Sequence, residues 1–345
     1  MLYFHNDYNE MCHPKVWEKM KALQGQSVNG YGVDPYCDAA ADKIRTLCGD
    51  PELAVHFLVG GTQTNLTVIA ATLRPHQAVL TVTDGHINVH ETGSIEATGH
   101  KVVALPSPDG KITAEQVAQF GKAQKENGDK EHMVQVKMVY ISNPTELGTL
   151  YTLAELEAIS AVCRQCGFYL FVDGARLGYG LTAKGNDVTL ADLARLCDVF
   201  YIGGTKCGAM FGEAVVIANR AIAEDFRYII KQRGGMLAKG FLLGAQFDAL
   251  FTDGLYFEIT SKANAQADRI RETLAERNVP LFVPGVTNQV FPILPDAVLA
   301  ELGKEFTFSE IQRYDENRRV VRFCTSWATT DENVQALCDA LRKSL

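Results

Sequence analysis

No stretch of the 345-residue chain comes near the roughly 18 consecutive apolar residues that a membrane-crossing helix requires. The opening Met-Leu-Tyr-Phe-His-Asn-Asp carries neither a basic segment nor a long apolar core, so no secretory signal is expected. Blocks of Lys or Arg are also missing, and 33 basic against 41 acidic side chains give a formal net charge of −8. That balance argues against a dedicated nucleic-acid or membrane-surface binder, since both need clustered positive charge. There is no internal repeat and no low-complexity tract. No second cysteine pair and no histidine pair stands at metal-ligand spacing, so no metal site is expected. The nine cysteines (12, 37, 48, 163, 166, 197, 207, 324 and 338) are an odd number scattered through a long chain. They read as reduced thiols of a cytoplasmic protein, not as a disulfide framework. Cys163 and Cys166 form a C-x-x-C inside a helical pattern, where two buried small hydrophobes are the plainer reading than a redox or zinc pair.

What is present is an ordinary globular mixture, 47% hydrophobic and 21% charged. At about 150 residues per domain the length suggests about two domains. Apolar, β-rich runs lie at Ala54–Leu58, Ala78–Val82, Lys101–Leu105, Val136–Ile141, Phe168–Val172, Val199–Ile202 and Ala214–Ala218. Several are continuous, as strands covered on both faces are. Helical patterns such as Thr64–Leu73 and Leu153–Cys166 alternate with them, the second behind a Thr152/Glu155 capping box. This order predicts an α/β fold with a large, doubly wound, mostly parallel sheet. From about Asn219 the pattern turns helical through Arg220–Gln232, Phe241–Phe251 and Phe257–Arg277. Strands at Gln289–Leu294 and Arg319–Cys324 follow, with a closing helix over Asp331–Leu341 behind Thr329 and Glu332. The expected division is a large α/β domain over residues 1–250, including the N-terminal segment, and a small α+β C-terminal domain over residues 251–345. Gln124–Glu131 reads as a solvated loop.

Three motifs carry chemistry. Val59-Gly60-Gly61-Thr62-Gln63-Thr64-Asn65 follows a strand and opens a helix, whose free N–H groups and positive dipole end suit a phosphate. It matches neither a dinucleotide nor a Walker pattern, and a tight strand-to-helix turn is the alternative. Phe171-Val172-Asp173-Gly174-Ala175-Arg176 puts an aspartate at the carboxyl end of an apolar strand, where open α/β sheets bind ligands. Its buried carboxylate needs a partner, either a protonated pyridine nitrogen or Arg176 itself. Tyr201-Ile202-Gly203-Gly204-Thr205-Lys206-Cys207-Gly208 sets a lysine in a glycine-rich turn, where desolvation lowers its pKa and frees a nucleophilic amine. Lys206 stands 33 residues after Asp173, room for one helix and one strand. A phosphate site, a carboxylate for a pyridinium and a lysine for an aldehyde together fit one cofactor, pyridoxal 5′-phosphate.

In the order Gly-Thr-x-x-Asn, His86, Asp-Gly-Ala-Arg, Thr-Lys, the chain resembles the fold-type I pyridoxal-phosphate enzymes. Within them it is most similar to the L-threonine aldolase and β-eliminating lyase family. The resemblance runs from Asn6-Asp7 through Tyr31-Gly32-Val33-Asp34-Pro35 to Arg322-Phe323-Cys324-Thr325-Ser326-Trp327. It implies that Lys206 bonds the cofactor aldehyde. Gly61, Thr62 and Gln63 would hold the phosphate with Thr205, and Asp173 would pair with the ring nitrogen. Arg176 would meet the ring hydroxyl or the substrate carboxylate. His86 would stack on the ring and act as a base, Arg322 would bind the substrate carboxylate, and Asn6 would assist it. Tyr31 would reach a neighbouring subunit's site, so the resemblance implies a homodimer or homotetramer.

Three departures stand out. Asn6-Asp7 replaces the family's Ser-Asp. Asn143-Pro144-Thr145-Glu146-Leu147-Gly148 lacks the histidine common after the strand ending near Ile141, which leaves its work to His86, Glu146 or water. Lys231, Arg233 and Lys239 are the basic residues available to a neighbour's phosphate. The expected activity is retro-aldol cleavage of L-threonine or L-allo-threonine to glycine and acetaldehyde. Its rivals are β-elimination, transamination or racemisation with the same cofactor, and, more remotely, a non-catalytic binding protein. Cys207, beside Lys206, is expected at the edge of the site and open to thiol reagents.

Overall fold

In the computed structural model, which describes residues 1–345, the seven apolar runs form one seven-stranded sheet. They are β1 (Ala54–Leu58), β2 (Gln77–Val82), β3 (Val102–Leu105), β4 (Gln135–Ser142), β5 (Tyr169–Asp173), β6 (Val199–Gly203) and β7 (Glu213–Ile217). The spatial order is β1-β7-β6-β5-β4-β2-β3. From β6 to β3 every pairing is parallel, while β7 runs antiparallel to both β1 and β6. β2, β6 and β7 are buried along their whole length, which is why they read as unbroken apolar runs. Alternate side chains feed two separate cores. Val172 and Phe200 join one, and Phe171 and Tyr201 join the other.

Local signals placed several helices well. Leu153–Cys166 has the Thr152/Glu155 capping box at its start and Gly167 in the left-handed conformation at its end. Three expectations are corrected. Arg220–Gln232 is two helices, Arg220–Ala223 and Phe226–Gln232, because Asp225 leaves helical geometry. Gln124–Glu131 is not all loop, since the helix Ala114–Glu126, secured by a Thr113/Gln116 capping box, takes its first three residues and a single 3-10 turn, Lys130–His132, its last two. The closing helix, Asp331–Ser344, is capped by Thr330 instead of Thr329. The Thr329 hydroxyl is engaged instead by the Ser326 N–H.

A small antiparallel sheet stands apart. Arg318–Cys324 lies at its centre, with Ser309–Arg313 on one side and Ile293–Pro295 and Gln289–Val290 on the other. The 22-residue helix Leu255–Glu276 connects the two parts and contributes Ile270 and Leu274 to the small core beside Val321, Phe323 and Leu337. Leu2–Tyr3 pairs in parallel with Phe306–Thr307, and Phe4 joins this same core. The chain therefore begins in a separate two-stranded ladder against the small core, and that anchoring carries Asp7 to Arg176 at the carboxyl ends of the large-sheet strands. No helix is long and apolar enough to cross a membrane.

Candidate active site

The carboxyl ends of β5 and β6 meet edge to edge. Gly203 donates its N–H to the Gly174 carbonyl at 2.9 Å. A Cβ on Gly174 would lie 1.9 Å from the Tyr201 carbonyl oxygen, and one on Gly203 would lie 2.2 Å from that of Ala175. Only glycine lets these loops approach, and their approach brings Asp173 and Lys206 to one crevice.

Asp173 is buried among donors. Tyr140 donates to Oδ2, Tyr201 donates to Oδ1 at 2.6 Å, the Asn65 amide reaches Oδ2 at 3.1 Å and the Ala175 N–H reaches Oδ1 at 2.9 Å. Burial alone would raise its pKa, but the His86 charge and these hydrogen bonds outweigh it and hold the carboxyl below its usual range. It is kept ionised, as partner to a protonated ring nitrogen must be.

Lys206 is half-buried in the turn after β6. Its Nζ lies 5.9 Å from the centre of the Tyr8 ring, and its carbonyl accepts the Tyr179 hydroxyl at 2.6 Å. Burial and the Arg176 charge push the amine toward neutrality, while Asp7, Asp173 and Glu213 oppose them, and the net shift is downward. Thr205, one residue earlier, donates its hydroxyl to Glu213 at 2.8 Å. Gly61, Thr62 and Gln63 open the helix Gly61–Thr72, whose N-cap Gly60 offers no side-chain acceptor to the first N–H groups. Gln63 Oε1 accepts the Val59 N–H at 3.3 Å.

His86 begins a short helix, His86–Val89, and is half-buried. Its Nδ1 lies 2.7 Å from Glu91 Oε1, and its main-chain N–H donates to Glu146 Oε1 at 3.1 Å. Burial disfavours the imidazolium, yet the Glu91 hydrogen bond and the Asp173 charge overcome this and raise the His86 pKa. Glu91 is itself tied down, accepting the Asn65 amide at 2.7 Å and the Ser94 hydroxyl at 2.6 Å. Asn65 thus joins the His86 and Asp173 networks.

Arg176 makes a two-pronged pair with Asp7, Nε to Oδ2 at 2.8 Å and Nη2 to Oδ1 at 2.9 Å. Two of its three nitrogens are therefore engaged within the chain. Asn6 accepts the Tyr8 N–H at 2.9 Å. Arg322, on the small sheet, is held by Gln289 at 3.0 Å, the His5 carbonyl at 3.0 Å and Ser309 at 3.2 Å, while its buried Nε has no partner. Arg322, Arg176, Lys206 and His86 all bear electrostatically on His90, whose ring centre is 5.5 Å from that of His86. Tyr31 is elsewhere. It is 47% exposed, with a positive φ of 61° and the Lys231 amine 4.8 Å over its ring. Lys239 is exposed too, and Arg233 has a buried Nε without a partner.

Several site residues went unassigned in the sequence. Tyr140 and Tyr201 sit inside apolar strands and look like core. Glu91 and Glu213 have no motif around them. Asn65, fully buried in the polar first half of the helix Gly61–Thr72, is part of the strand-to-helix motif but carries no sign of the two carboxylates it joins. Cys207 is corrected: it is completely buried, and burial pushes its thiol up to about 12. Its side chain packs into the large core.

A family model described as β-eliminating lyase matches residues 11–296. A low specificity L-threonine aldolase of Pseudomonas sp. (strain NCIMB 10558) is 29% identical, over 98% of this chain and 96% of that protein. A solved Leishmania major threonine aldolase is 46% identical, covers 99% of each chain and superposes with a TM-score of 0.96. An aspartate aminotransferase of Thermus thermophilus, 18% identical, shares the fold alone, with a TM-score of 0.73 over 100% of this chain and 92% of that one.

Proposed function

Because the chain belongs to the β-eliminating lyase family, we propose that it is a cytoplasmic, pyridoxal 5′-phosphate-dependent lyase cleaving L-threonine or L-allo-threonine to glycine and acetaldehyde. The observation that carries the reading is the crevice where a half-buried amine pushed toward neutrality faces the field of a buried carboxylate held ionised. Full-length likeness to threonine aldolases narrows the reaction from the cofactor's repertoire to carbon–carbon cleavage.

The residues fit the cofactor. Lys206 would hold its aldehyde and Asp173 its ring nitrogen. The first N–H groups of the helix at Gly61, Thr62 and Gln63, with the Thr205 hydroxyl, would hold its phosphate, and His86 would stack on its ring. When bound, the cofactor supplies the sink for the electron pair left on Cα as the Cα–Cβ bond breaks. The protein's own groups do the rest. The partnerless Nε of Arg322 is available to the substrate carboxylate, and Asn6 and Arg176, braced by Asp7, line the same region. His86 has committed Nδ1 to Glu91, so Nε2 is the nitrogen free to take the β-hydroxyl proton as acetaldehyde leaves. Tyr31, exposed on its own subunit, completes a second copy's site in a homodimer or homotetramer.

The test is a product assay. Purified chain with the cofactor should release acetaldehyde from threonine and allo-threonine, and Lys206→Ala should abolish both the release and the visible absorption band. Robust turnover of cysteine or tryptophan derivatives with none of threonine would overturn the aldolase reading.

A further inference from the structure

Glu213 begins β7, the one antiparallel strand of the large sheet. In register it faces Leu58 of β1 on one side and Gly203 of β6 on the other. The chain leaves β1 into Gly60-Gly61-Thr62 and leaves β6 into Gly204-Thr205-Lys206. One buried side chain therefore stands between the two loops assigned to the phosphate. Both of its oxygens bind the second loop, Oε2 accepting the Gly204 N–H at 3.1 Å and Oε1 accepting the Thr205 hydroxyl at 2.8 Å. Thr205 Oγ1 in turn accepts the Gly212 N–H at 3.0 Å. A hydroxyl has a single proton to donate, and here it points at Glu213.

A phosphate on Thr205 needs that same proton. An ionised Glu213 and a phosphate can only accept, so Thr205 cannot serve both. They would also be two anions separated by one hydroxyl in a buried site, where like charge favours protonation of one of them. A proton on Glu213 removes both conflicts. The carboxylic O–H donates to Thr205 Oγ1, which still accepts the Gly212 N–H through its other lone pair, and the Thr205 proton turns to the phosphate.

We propose that Glu213 takes up one solvent proton when the cofactor phosphate binds, and through Thr205 becomes a positioning residue of the phosphate site. No covalent bond beyond that O–H is made or broken. Burial already drives Glu213 toward the neutral form, with Thr205 and Lys206 opposing it. The titratable groups that bear on it are Lys206, Asp173, Tyr201, Cys207 and Tyr256. Of these only Lys206 can carry positive charge, and it is itself pushed toward neutrality.

The inference rests on the phosphate reading of Thr205, and its test counts protons. Pyridoxal 5′-phosphate is titrated calorimetrically into the full-length, cofactor-free chain in buffers of different ionisation enthalpy, at a pH where the free protein's Glu213 is ionised. Glu213→Gln is treated alike, and pyridoxal, which lacks the phosphate, is the control. Wild type should take up about one proton more per cofactor than Glu213→Gln, and the ratio of their association constants should drop about tenfold per pH unit in that range. Pyridoxal should show no such difference. Equal proton counts overturn the proposal, as does a difference that persists with pyridoxal. Should Glu213→Gln fail to fold, Thr205→Val and Thr205→Ser decide it: the first should lose the extra proton and the second keep it, and equal counts in the two overturn it. A chain that binds no cofactor at all fails the functional reading and this one with it. Normal binding with equal proton counts fails this one alone.

Discussion

Asp173 at the end of β5 and Glu213 at the start of β7 are each 3% exposed, and both bear on the turn that carries Lys206. Burial acts on the two carboxyls in the same direction. Asp173 answers it with two tyrosine hydroxyls, an amide, a main-chain N–H and the charge of His86. Glu213 has one threonine hydroxyl and one main-chain N–H. The first is held ionised and the second is pushed toward its acid form. Depth of burial therefore does not decide the state of a buried acid; the number and charge of its donors do. Two acids that bear on one amine are thereby suited to different partners, a cationic ring nitrogen and an anionic phosphate.

The sharpest way to break this contrast is to remove each charge while keeping each shape. Asp173→Asn should lose turnover by on the order of 10³-fold with the fold retained, because its amide oxygen still accepts from one tyrosine while its NH2 group can donate to the hydroxyl oxygen of the other. Turnover within tenfold of wild type would refute the need for a charge there. A loss on the order of 10²-fold is expected for Glu91→Gln, because His86 loses the carboxylate that fixes its Nδ1 proton. Glu91 raises His86, so its removal lowers the His86 pKa and should extend the acid limb of the kcat/KM profile to lower pH. A limb that stays put or moves upward assigns that limb to another group. Glu213→Gln should cost about tenfold or less at neutral pH, since the glutamine amide can donate to Thr205 as the protonated acid does. A loss equal to that of Asp173→Asn would erase the distinction. The smallest effect is at Cys207: thiol reagents should leave activity unchanged in the native protein, and rapid inactivation that maps to this residue would contradict its burial.

Much of the scaffold was legible from pattern. β1 and the helix Leu153–Cys166 appear at their expected bounds, and the other large-sheet strands differ at their ends by a residue or two. Lys206, Asp173 and Arg176 were legible because polar residues at the ends of apolar strands among glycines have few structural uses. Glu91, Tyr140, Tyr201 and Glu213 were not. Each is defined by what it touches across distant segments: Glu91 by Asn65, the tyrosines by Asp173, Glu213 by Thr205. Cys207 was misread for the same reason in reverse, since adjacency in sequence to Lys206 says nothing about which side of a turn a side chain takes.

Composition, period and turn chemistry specified the kind of fold, because alternation, apolar runs, capping boxes and glycine positions act over a few residues and leave a local record. They also specified the chemical vocabulary of the site: one lysine, one aspartate, a histidine and two arginines. The protonation states, the committed and free nitrogen of His86, the pairing of Arg176 with Asp7 and the stance of Glu213 between two loops were decided in three dimensions. Electrostatics in a buried site depends on donors and charges within a few ångströms, and those are set by packing, whatever their separation along the chain.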